Sequence, residues 1–121
     1  MINLYTSYYD NISNLPDDLC PISIAGKAHV NFNGIEYKKL APKLSFWKIW
    51  EQTKDNNYYI EKFNELVLNE LNCQQTYNEI LNLSNGKIPC LICYEKPGEF
   101  CHRHIVAEWF KKELNINVEE Y

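Results

Sequence analysis

Residues 88–94 read Ile-Pro-Cys-Leu-Ile-Cys-Tyr, a continuous apolar run of strand length. Such a run keeps no polar face for water, so it suits an inner strand of a parallel sheet covered on both sides. Pro97 and Gly98 then turn the chain. Residues 101–114 follow with Ile105, Val106, Trp109 and Phe110 on one helical face. Lys111 and Lys112 fall in the last turn, where cations complement the helix dipole. A buried strand, a tight loop and an amphipathic helix in that order restrict the chain to an α/β architecture.

The rest of the chain fits that class. Residues 2–7 and 20–25 are short β-prone runs, and residues 35–40 extend briefly before Pro42. Residues 46–54, with Ser45 as N-cap, then 58–71 and 74–83, repeat apolar side chains at helical spacing. Asp55 to Asn57 interrupts the first two of these helices, and Asn85-Gly86 ends the third. Residues 8–18 and 26–34 read as loops, and 116–118 as a small last strand. The expectation is one domain over residues 1–121, a small Rossmann-like three-layer sandwich with a mostly parallel sheet. Ligands of such sheets sit beyond the carboxyl ends of the strands. The loops after Ser7, Ala25 and Tyr94 would meet there.

Charge and composition remove several classes of function. The formal net charge is -4, so general nucleic-acid binding is not expected. No apolar run is long enough to span a membrane, and the first residues do not follow the pattern of a secretory signal. The five cysteines are an odd number with no such signal, which fits reduced thiols in the cytoplasm better than a disulfide framework.

Chemistry concentrates in one stretch. Residues 88–110 hold Cys90, Cys93 and Cys101, two of the three histidines and the only arginine, Arg103. Three readings follow. In the first, Arg103, Lys96 and the start of the last helix hold a phosphate or another anion. Ser7, Ser23 and Lys27, near the ends of the other strands, add contacts. The bland counterpart pairs Arg103 with Glu95 or Glu99 and simply fixes the loop. In the second, Cys101 or Cys93 is a nucleophile with His102 or His104 as base and Glu95 as acid/base group. The bland counterpart makes a buried cysteine an apolar filler. In the third, Cys90, Cys93, Cys101, His102 and His104 bind zinc. Cys90 and Cys93 stand three apart on a strand, so their side chains leave opposite faces. No metal and no cofactor are therefore assigned. His102 and His104, two apart on a helix, cannot face the same way. Trp47 and Trp50 read as core, with room for one to line a pocket.

Cys93-x-Glu95, the Pro97-Gly98 loop and Cys101-His102-Arg103 resemble the C-terminal signature of the family known as domain of unknown function 488. Leu4 to Tyr8, Ile22 to Ala25, Tyr37 and Leu40-Ala41-Pro42 are similar to its short form. The resemblance implies a compact Rossmann-like domain and supplies no mechanism. Many members continue the second strand as Val-Asp-Val-Arg, where this chain has Ile22-Ser23-Ile24-Ala25. Short lysine-rich forms also resemble phage or mobile-element proteins, which implies a copy that sequesters a nucleotide signal.

These residues lead to a first functional expectation, a domain that binds a nucleotide-type or other phosphate-bearing anion with Ser7, Ser23, Lys27, Lys96 and Arg103. The alternative is a hydrolase or transferase that uses Cys101, Glu95 and His102 in the same pocket. A third is an interaction protein whose Cys-His-Arg loop is structural. The sequence is also compatible with a homo-oligomer.

Overall fold

The computed structural model describes residues 1–121. Five strands, β1 (Leu4–Tyr8), β2 (Leu19–Ser23), β3 (Ile35–Glu36), β4 (Ile88–Cys93) and β5 (Val118–Glu120), form one sheet in the order β3-β2-β4-β1-β5. Every pairing is parallel. The run that most restricted the sequence is the central strand. β4 pairs with β1 from Tyr5 opposite Cys90 to Tyr8 opposite Cys93, and with β2 from Leu19 opposite Ile88 to Ser23 opposite Ile92. All of its residues after Ile88 are buried.

The two faces are covered unequally. Four helices, α1 (Leu44–Thr53), α2 (Asn56–Leu66), α3 (Cys73–Ser84) and α4 (His102–Leu114), lie on one side. They send Phe46, Phe63, Ile80, Val106 and Phe110 into a single core with Leu4, Ile22, Leu91 and Val118. On the other side Leu19, Cys90 and Ile92 are covered by Tyr5, Tyr9, Ile12 and Leu15. Much of that cover comes from a 3-10 helix, Tyr9–Asn14, where the sequence reading placed a loop. Tyr9 and Ile12, three apart, eclipse on a 3-10 turn and so reach the sheet together. The expected α/β, Rossmann-like sandwich stands, with a thin layer on its second face.

Element ends shift for identifiable reasons. α1 starts two residues earlier than a Ser45 cap requires, and its N-cap is Lys43, which makes no side-chain cap bond. Packing of Phe46 into the core sets this end instead of capping. Asp55, expected to interrupt, caps α2 by accepting the Tyr58 N–H at 3.1 Å. The expected helix over residues 58–71 stops at Leu66, and the chain tightens into a 3-10 turn at Leu68–Glu70. Asn72 then caps α3 by accepting the Gln75 N–H at 2.9 Å. Asn85 (φ 51°) and Gly86 (φ 90°) take the left-handed backbone that ends α3, as their types require. β5 begins two residues later than expected, and that shift sets Glu120 beside Thr6. No helix is long and apolar enough to cross a membrane.

Phe110 is fully buried between Trp109 and Tyr77, with ring centroids 5.0 and 5.9 Å away. Phe110→Ala is expected to cost about 3–5 kcal/mol through lost burial and the cavity left behind. Urea unfolding followed by circular dichroism measures this directly, with the midpoint lowered and the slope unchanged.

Candidate functional site

β4 ends at Cys93 in the middle of the sheet, and α4 begins at His102 with Cys101 as its N-cap. The loop between them brings the end of the strand and the start of the helix face to face. The Cys93 and Cys101 sulfurs and a His102 ring nitrogen all lie within 4.8 Å of one another. All three side chains are buried. His102 Nε2 lies 2.8 Å from the Ile24 carbonyl oxygen. A carbonyl only accepts, so Nε2 carries the proton and donates it. Nδ1 then faces the thiols, 3.4 Å from Cys93 Sγ. Cys93 Sγ also stands 3.7 Å from Glu95 Oε2.

These groups line a cavity of about 80 Å³ together with Trp47, Trp50, Tyr59 and Phe100. Phe100 stacks on Trp50 at 5.5 Å and meets Tyr59 edge-on at 5.0 Å. Aromatic rings and polar side chains together form its walls. A wider groove of about 770 Å³ adjoins the cavity and shares Pro42, Trp47, Tyr94 and Glu95 with it. Gly26, Lys27 and Leu44 complete that groove.

Electrostatics sorts the two thiols. Burial opposes ionisation of Cys101, but its hydrogen bonds with Cys93 and His102 outweigh that effect and lower the thiol's pKa. Cys93, whose proton is held toward Cys101 and which is itself buried, goes well up. Two adjacent buried thiols oppose each other's ionisation, so their titrations are linked. Burial, followed by the Cys101 charge, raises the Glu95 carboxyl above its ordinary value.

The other residues singled out in the sequence go elsewhere. Ser7 is buried on the second face and accepts from Asn11 Nδ2 at 3.1 Å. Ser23 is buried against the Tyr9 hydroxyl at 2.6 Å. Lys96 is exposed and does not line the cavity. Lys27 lines the outer groove, and its carbonyl accepts the Tyr94 hydroxyl at 2.6 Å. His104 lines a neighbouring surface hollow with Ile105 and Trp109, which shares Phe100 and Cys101 with the cavity, and it is not among the three clustered donors. Cys90 points to the opposite face of the sheet from Cys93, as strand alternation requires.

Arg103 is fully buried and its guanidinium is engaged inside the protein. Nε donates to Glu120 Oε1 at 3.1 Å, Nη2 to Glu120 Oε2 at 2.7 Å, and Nη1 to the Glu95 carbonyl oxygen at 2.6 Å. Its planar fork thus grips a carboxylate, the partner geometry expected of arginine, but an internal one. Thr6 donates its hydroxyl hydrogen to the same carboxylate. Sequence reasoning missed Glu120, since nothing about Val-Glu-Glu near the chain end signals a partner for Arg103.

Burial works against the Glu120 carboxylate, but its bonds from Arg103 and Thr6 prevail and lower its pKa. A depressed folded-state value means stability that is present above the ordinary glutamate range and lost as pH falls through the folded value. Acid titration of the melting point should show that loss in the wild type and not in Glu120→Ala. At neutral pH Glu120→Ala should cost about 3 kcal/mol, the low end for stranding a buried charge, because Glu120 keeps some contact with water. Thermal unfolding at both pH values checks the two statements.

Comparison with curated proteins and with solved structures found no match in either. A family model does match, described as DUF488-N3a, the active DUF488-N3 subclade, over residues 22–114. That span covers most of the chain and runs from the end of β2 through α4, including Cys93, Glu95, Cys101 and His102. The chain belongs to the DUF488 family.

Proposed function

We propose that the chain is an enzyme of hydrolase or transferase type whose reaction takes place in the cavity at the carboxyl end of β4. One observation carries this reading: Cys93, Glu95, Cys101 and His102 line a single narrow, aromatic-walled cavity. A pure binding module has no need of two thiols, an imidazole and a carboxylate at one point. The binding expectation relied on Ser7, Ser23, Lys27, Lys96 and Arg103 as ligand contacts; Ser7, Ser23 and Arg103 bond partners within the protein, Lys96 does not line the cavity, and only Lys27 lines the groove. The family description calls this subclade active, which favours the same reading.

The cavity is too small for a whole nucleotide and suits the reacting end of a substrate. The groove has the size of a small-molecule site. A nucleotide-type substrate fits this division: its body lies along Trp47 and Tyr94, and its phosphate meets Lys27. Glu95 is the acid/base group, because it lines both spaces and stands where the substrate passes from one to the other.

The test is to incubate the full chain with nucleosides, nucleotides, dinucleotides and ADP-ribose derivatives, and to follow products by chromatography. Consumption of at least one compound is expected. Glu95→Gln should lower its rate by about 100-fold or more. Lys27→Ala should raise KM and leave kcat close to wild type, the pattern of a lost uniform contact. A compound that raises the melting point of wild type and Glu95→Gln alike, with no product in either, would contradict the enzyme reading and restore the binding module.

A further inference from the structure

We propose that Cys93, Cys101 and His102 bind one zinc-class divalent cation, with its fourth position open to the cavity beside Glu95. The donors already have the right spacing. A tetrahedral ion with bonds of about 2.3 Å to sulfur and about 2.0–2.1 Å to nitrogen holds neighbouring ligand atoms roughly 3.5–3.8 Å apart. Cys93 Sγ and His102 Nδ1 are 3.4 Å apart, and all three donors lie within 4.8 Å.

The histidine is set up as a ligand. Its Nε2 donates to the Ile24 carbonyl at 2.8 Å, so on the neutral ring Nδ1 is the nitrogen with a free lone pair, and it faces the two sulfurs. Metal-binding histidines are held by such an outer bond, which selects the tautomer and orients the ring. The three ligands come from stiff places: the end of the central strand, the cap of α4 and its first residue. Two thiolates and a doubly charged cation also sum to zero, so the loaded site buries no net charge.

The donor set chooses the ion. Thiolate and imidazole suit zinc and other soft or borderline metals, and oxygen-seeking magnesium and calcium are poorly served. Three protein ligands, not four, mark a site with a vacancy for water or substrate. Cys90 leaves through the opposite face and His104 lines another hollow, so neither closes it. Glu95 lies near Cys93 but outside the cluster of three, where it can accept a proton from a water in the fourth position. That last role rests on the proposed function; binding of the cation does not.

The test uses the full chain, stripped with a chelator and titrated with Zn2+ or Co2+. One equivalent should bind, and Co2+ should give the intense visible bands of a tetrahedral ion with thiolate charge transfer. Zinc should protect Cys93 and Cys101 from iodoacetamide and leave the half-buried Cys20 and Cys73 unprotected. Cys101→Ser and His102→Ala should each weaken binding by more than the roughly 10–100-fold that loss of an outer partner costs. Cys90→Ser should bind as wild type does, and circular dichroism checks that each variant is folded. Absence of stoichiometric binding to wild type, an octahedral spectrum without thiolate bands, or binding undiminished in folded Cys101→Ser would overturn the proposal. One equivalent bound through these ligands, with no turnover of any compound, would support the metal site and tell against the enzyme reading.

Discussion

Arg103 is the tie on which the candidate site depends. Its guanidinium is fully buried, and a buried cation persists only when its hydrogen bonds are met. Glu120 at the end of β5 and the carbonyl of Glu95 in the loop meet them. The same residue stands in the first turn of α4. One side chain therefore pins the loop, the start of the helix and an edge strand to one another. Cys101 and His102 are held against Cys93 as a consequence. The ring of Tyr8, 5.9 Å from the guanidinium carbon, covers it further.

This arrangement separates positioning from chemistry. The cation that a short anion loop would have turned outward is spent on holding the loop. What faces the cavity is sulfur, imidazole and carboxylate, beside the rings of Trp50, Tyr59 and Phe100. In such surroundings charge interactions are strong, which is why neighbours as close as Cys93 and His102 can outweigh burial at Cys101. The helix start adds its dipole to the same end.

The sequence made some of this legible and hid the rest for physical reasons. The central parallel strand was readable because residues 89–93 are buried on both faces and carry no polar residue. The end of α3 was readable because Asn85 and Gly86 accept a left-handed backbone. The meeting of Cys101 and His102 at the start of α4 followed from strand, turn and helix in order. The partner of Arg103 was not readable: Glu120 is distant in sequence, and only the register of β5 against β1 brings it near. Ser7 and Ser23 sat at strand ends as expected, but alternation turned them to the second face. The ligand set was hidden for a related reason. Cys90-x-x-Cys93 drew attention as a pair, whereas the strand splits it and the fold pairs Cys93 with Cys101.

The most direct measurement is a crystal structure of the full chain grown with Zn2+, with anomalous differences recorded at the zinc edge. The account predicts one peak bounded by the Cys93 and Cys101 sulfurs and His102 Nδ1, with Glu95 beside its open side and Arg103 closed on Glu120. Thiols pointing apart, or zinc held only by surface side chains, would contradict it.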